Sequence, residues 1–134
     1  MGLRETPLRV DEVITSLEEE ASGGLTLFVG RVRDHDSGKA VTELDYTAHP
    51  SALDVLNEIC ARIAASYDVH GIAAVHRTGT LAVGDLAVVV ATTSAHRGVS
   101  FDASRALIDT LKAELPIWKH QRFTDGSEEW VGSP

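Results

Sequence analysis

The stretch Leu86-Ala-Val-Val-Val-Ala-Thr-Thr93 decides the fold of this chain. It is almost entirely apolar and rich in β-branched side chains, a pattern typical of a strand buried on both faces. Ser94-Ala95-His96-Arg97 follows it, and a helix is predicted from about Val99 to Leu115, where Pro116 ends it. We therefore predict a central strand that presents a His-Arg pair at the N-terminus of a helix. Backbone amides and the helix dipole make such a position favourable for an anion.

Two helices and two strands are predicted between residue 10 and the end of the second helix. Apolar residues at helical spacing indicate an amphipathic helix over residues 10–21, which Gly23-Gly24 ends. Alternating, β-rich segments predict strands from Leu25 to Arg33 and from Val41 to Thr47. A polar turn separates the two strands, so we predict that they pair antiparallel. His49-Pro50 opens a long second helix.

The remaining segments predict three further strands, in addition to the central strand. Gly71 starts a strand that runs through His76, and Gly84-Asp85 marks a turn before the central strand. After the third helix, Ile117–Phe123 and Glu128–Val131 are predicted to form a closing hairpin. The resulting order is α-β-β-α-β-β-α-β-β. It predicts a single compact α+β domain over residues 1–134, with three helices and a mixed, largely antiparallel sheet.

The composition is that of an ordinary globular domain, and it argues against several classes of protein. The chain has 134 residues, 43% of them hydrophobic and 24% charged, and its net charge of −8 argues against nucleic-acid binding as the main function. No apolar run approaches the roughly 20 residues that cross a bilayer. Residues 1–7 also lack the apolar core of a signal peptide. We expect a cytoplasmic protein that contacts neither nucleic acid nor membrane.

Cys60 is the one cysteine, so no disulfide can form within the chain. This fits a reducing compartment. The residue lies on the apolar face of the predicted second helix, and we expect it to be a small core side chain rather than a nucleophile.

Basic residues are concentrated at the ends of predicted elements. Acidic residues are concentrated in the first helix and near the C-terminus, so the basic positions stand apart from them. The pattern predicts a local cationic site that binds a small anion or an anionic peptide tail. The basic positions are Arg31, Arg33, Lys39, Arg77, Arg97, Lys112, Lys119 and Arg122.

Two cationic pairs are candidates for anion binding. Arg31 and Arg33 are two residues apart on a predicted strand and therefore share one face. An isolated pair of this kind is usually a solvated strand face, but His96-Arg97 repeats the pattern at a second strand end, which favours a shared anion site. Arg97 could bind a phosphate through two hydrogen bonds, and His96 could donate to it or transfer protons. A helix cap with a surface arginine explains the second pair equally well.

Two lysines beside the Pro116 break are candidates for chemistry. Lys112 lies in the last turn of the third helix, where a lysine also simply complements the helix dipole. Lys119 follows Trp118 in a predicted strand, where the aromatic neighbour can desolvate it. Partial burial and nearby cations favour a neutral lysine amine, the form that acts as a base or nucleophile.

Other catalytic patterns are weak. The six histidines, at positions 35, 49, 70, 76, 96 and 120, lack metal-ligand spacing. The glycines of residues 79–84 are not followed by the Gly-Lys-Ser/Thr of a phosphate loop, and no nucleophile elbow is visible. We predict no metal site and no cofactor.

The order of several motifs resembles the catalytic (large) subunit family of molybdopterin synthase. Together the matching segments cover roughly residues 25–131. They are Phe28-Val-Gly-Arg-Val-Arg-Asp-His35, Val75-His-Arg-Thr-Gly-Thr-Leu81, Val83-Gly-Asp85, Thr93-Ser-Ala-His-Arg97, Leu111-Lys112 with Pro116-Ile-Trp-Lys119, and Trp130-Val131.

The resemblance implies an activity and its partners. The family inserts two sulfurs into cyclic pyranopterin monophosphate and so forms the dithiolene of molybdopterin, in molybdenum cofactor biosynthesis. Sulfur arrives as a thiocarboxylate on the C-terminal Gly-Gly of a small ubiquitin-like carrier subunit, whose tail enters a pocket of the large subunit. A homodimer of large subunits forms the centre of a heterotetramer. The implied class is therefore a sulfurtransferase.

The resemblance also implies roles for individual residues. By position, Arg31, Arg33, His96 and Arg97 match the contacts to the substrate anion. Lys112 and Lys119 match the two important lysines, which we expect to be catalytic and to contact substrate. Val32, His120 and Gln121 complete the predicted substrate-binding set.

The chain departs from the family pattern at a few positions. Arg31 stands where a lysine is frequent, which keeps the charge. His120-Gln121 stand where a second basic residue and an acid are usual. Some relatives continue past the position of Pro134 with a tail that could help to close the site, a contribution we expect to be absent here.

Two other functions fit some of the same residues. A non-catalytic anion-binding or scaffold module would use the same basic pocket, and would keep its function if the lysines were removed. A phosphoesterase with His96 as acid or base is less well supported, because the sequence offers neither a metal set nor a nucleophile.

Overall fold

The computed structural model describes residues 1–36 and 38–131, which form three helices and nine strands. The helices are α1 (Val10–Ser16), α2 (Ala52–Ser66) and α3 (Arg97–Glu114). The strands are β1 (Gly2–Arg4), β2 (Gly24–Arg31), β3 (His35–Asp36), β4 (Lys39–Ala48), β5 (Gly71–Arg77), β6 (Gly79–Ala82), β7 (Leu86–Ser94), β8 (Ile117–Phe123) and β9 (Glu128–Val131). The predicted α+β class is confirmed.

The first sheet has the strand order β1-β5-β7-β2, with β7 between two neighbours. Both β5 and β2 pair antiparallel with β7, and every residue of β7 after Leu86 is buried. The predicted central strand is therefore confirmed. β1 pairs parallel with β5, and the sequence analysis missed it because three residues are too short for a periodic pattern.

The second sheet contains β3, β4, β8 and β9 in that order, and β6 also pairs with β4. The predicted pairing of the strand that ends near Arg33 with the strand over 41–47 is wrong, because β2 pairs with β7 and β4 pairs with β8 and β6. The backbone explains this difference. Val32 exchanges hydrogen bonds with the Gly84-Asp85 turn, so the chain leaves β2 toward that turn. The local hairpin that remains is the short β3–β4 pair.

The three helices cover opposite faces of the first sheet. α2 and α3 pack with residues of β5 and β7 into one core cluster, whose buried members include Leu56, Ile59 and Leu107. α1 contributes Val13 to a cluster on the other face of β7. α1 ends at Ser16 instead of near residue 21. Successive glutamates at 18–20 would place like charges at the negative end of the helix dipole, which opposes extension.

Cys60 is part of the core, as predicted. It is 1% exposed, and burial raises the pKa of its thiol to about 11, so it remains protonated near neutral pH. Phe101 on α3, by contrast, is 56% exposed although it is aromatic and apolar. No helix of the described residues is long and apolar enough to cross a membrane.

Candidate functional site

A cavity lies where the end of α3 meets β4, β5 and β8. Its volume is about 180 Å³, and two lysines, a tyrosine and a histidine line it together with apolar side chains. We call it the lysine cavity. Its lining residues are Tyr46, His76, Val88, Ile108, Leu111, Lys112, Leu115, Ile117, Lys119 and Val131.

Lys112 and Lys119 reach the lysine cavity from two different elements. Lys112 lies in the last turn of α3, and Lys119 lies on β8 after Pro116 ends the helix. Two residues that are close in sequence but lie on different elements therefore line one cavity.

A second, smaller cavity adjoins the first and contains the arginines. It has a volume of about 60 Å³, and we call it the arginine cavity. Tyr46 and Lys119 line both cavities, so they form the boundary between them. The lining residues of the arginine cavity are Arg31, Val32, Arg33, His35, Asp36, Leu44, Tyr46, Lys119 and Gln121.

Backbone and buried side chains hold the arginine cavity in place. Val32 is 5% exposed, and its peptide group hydrogen-bonds to the Gly84-Asp85 turn. Gln121 is 2% exposed and donates a 2.5 Å hydrogen bond to the Asp36 carboxylate. Asp36 lies 3.6 Å from the Arg33 guanidinium. Val32 and Gln121 thus shape the cavity, while Arg31 and Arg33 expose their charge.

Three cations that line these cavities have no counter-charge within the described part of the chain. Among residues 1–36 and 38–131, Arg31, Lys112 and Lys119 form no ion pair. The acidic chain has enough carboxylates to pair them, as it does for Arg9, Arg62 and Arg122. Cations left unpaired around a cavity favour the binding of an anionic ligand.

His96 and Arg97 lie far from these cavities within one chain. In the β2–β7 ladder Gly24 is opposite Ser94, whereas Arg31 is opposite Leu86. The eight residues of β2 span about 23 Å at roughly 3.3 Å per residue. The predicted convergence of Arg33, His96 and Arg97 therefore does not occur within a single chain.

Glycines allow the exposed His-Arg pair to sit close to β2. A Cβ at Gly24 would lie 3.1 Å from Arg97 Cα, and one at Gly23 would lie 2.6 Å from the Ala95 carbonyl oxygen. Larger residues at these positions would push the N-terminus of α3 away from the start of β2.

His120 faces away from both cavities. It alternates with Lys119 and Gln121 on β8, and its ring stacks on Trp130 with 4.4 Å between ring centroids. The ring nitrogens lie 3.8 Å from Asp45 and 3.5 Å from Glu128. The structure therefore places His120 in a charged network on the opposite face of this sheet, where Arg122 also binds Glu43 and Asp45.

Two ionisable residues that line the lysine cavity, Tyr46 and His76, were not among the predicted site residues. The ring of His76 meets the ring of Tyr46 edge-on, with 4.8 Å between centroids and an angle of 84°. Burial lowers the pKa of His76, and the Lys112 charge acts in the same direction. Burial raises the pKa of Tyr46. The Val75-His-Arg motif contained a signal for His76, but nothing in the sequence pattern singled out Tyr46.

The residues around these cavities were also compared with the ligand sets of metal sites. Within the described parts of the chain, no group of three or more His, Cys, Asp or Glu side chains could hold a metal ion. The ionisable groups that line the lysine cavity are two lysines, a phenol and an imidazole.

The fold and the two cavities define an α+β protein that presents unpaired cations at a small, partly apolar site. The chain belongs to the MoaE protein family, whose model matches residues 3–114. The sequence is 43% identical to molybdopterin synthase catalytic subunit 1 of Mycobacterium tuberculosis, across 97% of this chain and 88% of the relative. It is 35% identical to the molybdopterin synthase catalytic subunit of Bacillus subtilis, across 97% and 83% of the two chains.

Solved structures share the fold. The X-ray structure of molybdopterin synthase from Staphylococcus aureus superposes with a TM-score of 0.90 at 29% identity, and the match covers 97% of this chain and 95% of that one. A complex of subunits 1 and 2 of the molybdopterin-converting factor from Helicobacter pylori gives a TM-score of 0.77 at 18% identity, covering 97% and 88%. The second match is evidence for the fold alone.

Proposed function

We propose that this chain is the catalytic subunit of a molybdopterin synthase. It transfers sulfur from the C-terminal thiocarboxylate of a small ubiquitin-like carrier subunit to cyclic pyranopterin monophosphate, in the cytoplasm. The observation that carries the proposal is the position of Lys119 on the wall shared by the two cavities. A group at that wall can contact one ligand from each side.

The lysine cavity suits the tail of the carrier. A Gly-Gly end has no side chains, so it fits a narrow cavity whose floor is apolar, such as the one formed by Val88, Leu111 and Ile117. Its terminal thiocarboxylate is an anion, and Lys112 and Lys119 offer charges that no carboxylate of the described chain neutralises.

The arginine cavity suits the phosphate-bearing pterin. Arg31 and Arg33 can donate paired hydrogen bonds to phosphate oxygens, which is the geometry a guanidinium favours. The cavity itself is small, so the pterin ring would extend from it across the exposed surface at Arg31 and Val83. The reacting atoms of the substrate would then lie beside Lys119.

A second copy of the chain supplies His96 and Arg97 to the same substrate. β2 is the edge strand of its sheet, and Leu25 and Phe28 on it are 40% and 39% exposed. If two β2 strands meet antiparallel about a two-fold axis, the Gly24 end of one lies beside the Arg31 end of the other. The 23 Å separation within one chain, estimated from roughly 3.3 Å per residue, then becomes proximity between two chains.

The reaction needs the two lysines for different tasks. Lys119 assists attack by the thiocarboxylate sulfur on the substrate and stabilises the acyl intermediate that follows. Lys112 positions the substrate or transfers a proton. A homodimer at the centre of a heterotetramer with two carrier subunits provides both sites, and no bound cofactor is required.

The proposal is tested by mixing the purified chain with a thiocarboxylated carrier and the cyclic pterin. Dithiolene product detected by mass spectrometry and fluorescence of its oxidised pterin is the expected result. Binding of both ligands without any product would instead favour the non-catalytic anion-binding module. Lys119→Ala separates the two cases further, because it should abolish turnover while preserving affinity for the ligands.

A further inference from the structure

His76 has a fixed tautomer. Its Nδ1 lies 2.7 Å from the carbonyl oxygen of Arg77. A carbonyl oxygen only accepts hydrogen bonds, so Nδ1 must carry the hydrogen and donate it. In the neutral ring the lone pair is therefore on Nε2, which makes no hydrogen bond to any residue of the described chain.

The surroundings of His76 hold its ring still and keep it neutral. Tyr46 packs edge-on against the ring, and β5 anchors the backbone between β1 and β7. Burial lowers the pKa of His76, and the Lys112 ammonium adds to the effect. Near neutral pH the lysine cavity thus contains one neutral imidazole beside two lysines.

We infer that His76 is the general base that activates water to release the carrier. The inference rests on the proposed function, because it concerns the acyl intermediate in which the carrier carbonyl carbon is bonded to the sulfur already attached to the pterin. That carbonyl enters the lysine cavity, which the His76 ring lines together with Lys112 and Lys119. A neutral imidazole with a free lone pair is the usual group for this task.

The step balances with water as the only co-reactant. The water oxygen forms a bond to the carbonyl carbon while one water proton moves to Nε2 of His76. The carbon–sulfur bond then breaks, its electron pair stays on the pterin sulfur, and the carrier leaves with a carboxyl group. The imidazolium donates through Nδ1 to the Arg77 carbonyl throughout, and it returns its proton to the sulfur or to solvent. The cationic lysine beside the carbonyl stabilises the developing oxyanion.

The first test replaces His76 with asparagine in the dimeric protein with its carrier. The Asn amide can still donate to the Arg77 carbonyl from nearly the Nδ1 position, but it has no Nε2. We expect His76→Asn to form the carrier–pterin adduct and to hydrolyse it about 100-fold more slowly, or slower still, as general-base loss usually does. Rapid quenching and intact-mass analysis would show the adduct accumulating. His70→Asn, at an exposed histidine before β5, is the matched control and should hydrolyse normally.

The second test uses the unmodified protein and does not depend on how the variants fold. Tyr46 from β4, Lys112 from α3 and Lys119 from β8 line the cavity with His76, while β1 and β7 present Leu3 and Val88 opposite it. Only His76 among these groups has a reference pKa near 6.5, and its pKa is lowered. Adduct hydrolysis by the unmodified protein should therefore fall on acidification below about pH 6.5.

The outcomes separate the inference from the proposed function. Normal adduct hydrolysis in His76→Asn, or a flat hydrolysis rate in the unmodified protein from pH 5 to 8, would overturn the role of His76 alone. An inactive variant that accumulates no adduct would also overturn it, since the defect would then precede hydrolysis. If the unmodified protein forms neither adduct nor dithiolene, the proposed function itself fails.

Discussion

Tyr46 and Lys119 are opposite each other in the β4–β8 ladder, and both side chains line the lysine cavity and the arginine cavity. One cross-strand pair therefore forms the wall between two spaces of different chemistry. A ligand in either space contacts the same lysine, which explains how a single cation can act on two substrates.

Replacement of Lys119 should stop chemistry without unfolding the protein. Lys119→Ala should bind the carrier yet lose turnover by at least about 100-fold, as expected when a positioned acid–base or nucleophilic group is removed. Lys119→Arg should fail as well, because the larger planar guanidinium keeps the charge but cannot place it where the compact ammonium lies, between two small cavities. Product formation and thermal unfolding should be measured together. Near-normal turnover of Lys119→Arg would show that Lys119 contributes only its positive charge.

Lys112→Ala should be impaired, but less severely than Lys119→Ala. Lys112 is exposed at the end of α3 and lines only the lysine cavity. We expect a lower kcat with little change in affinity for the pterin phosphate, measured by steady-state kinetics and calorimetry. A larger loss of pterin affinity than of kcat would contradict this expectation, because it would mean that Lys112 contacts the pterin phosphate.

Removal of charge at Arg33 or Arg97 should weaken substrate binding. Each variant to alanine should cost about 1–3 kcal/mol if the contacts are charge-assisted hydrogen bonds. Calorimetry with the cyclic pterin measures this cost. Arg9→Ala is the matched control, because Arg9 pairs with Asp11 beside α1, on the other face of the sheet. Unchanged affinity in both test variants would remove these residues from the site.

The proposed dimer predicts that two variants with defects in different residues of the site complement each other when mixed. Light scattering should report about twice 14.4 kDa for the purified chain. At a substrate concentration too low to saturate Arg97→Ala, Lys119→Ala should be inactive and Arg97→Ala slow. A mixture allowed to exchange subunits should exceed the activity of either variant, because one of the two sites then carries both intact residues. No recovery from a mixture that demonstrably exchanges would contradict a site shared between chains.

The dimer should also depend on β2. Phe28→Glu would place a charge on an exposed apolar position of the edge strand, and we expect it to yield a monomer without loss of secondary structure. Leu53→Glu, at an exposed position of α2, is the control and should remain dimeric. Both are read by light scattering and circular dichroism.

Asp45 should contribute to stability in a pH-dependent manner. The hydrogen bond from the Thr80 hydroxyl and the nearby Arg122 charge lower the pKa of the Asp45 carboxyl. A carboxylate with a lowered folded-state pKa stabilises the fold above its unfolded pKa, and this contribution is lost as pH falls through the folded value. Asp45→Asn should therefore cost about 1 kcal/mol at neutral pH, a value reduced for partial exposure to solvent. The difference from the unmodified protein should shrink below about pH 4 in denaturant titrations.

The sequence predicted the individual helices and strands better than it predicted which strands pair with each other. The continuous apolar run of β7 specified a buried central strand, because few other environments accommodate it. The predicted pairing of β2 with the next strand in sequence was wrong, since strand periodicity carries no information about the partner strand. In the structure, Val32 hydrogen-bonds to the Gly84-Asp85 turn instead. Lys112 and Lys119 were selected as candidates on either side of the Pro116 break, and both line the lysine cavity, while their catalytic roles stay a prediction.

The site could be predicted only in part, for a related reason. His96 and Arg97 were correctly assigned to the start of a helix, but their distance from Arg31 depends on strand register, which no local pattern encodes. The place of Tyr46 in the site could not be predicted from the sequence. Its position opposite Lys119 depends on the pairing of β4 with β8, which are far apart in the chain.

The buried state of Cys60 has a practical consequence for studying a sulfur-transfer reaction. Its thiol is the only one in the chain, is 1% exposed and stays protonated because its pKa is raised to about 11. Alkylating reagents attack thiolates that they can reach, so they should leave the folded protein unmodified. Iodoacetamide added during turnover would then tag sulfur on the carrier and on the pterin alone. Because the folded chain contributes no reactive thiol, every labelled sulfur atom comes from the carrier or from the pterin.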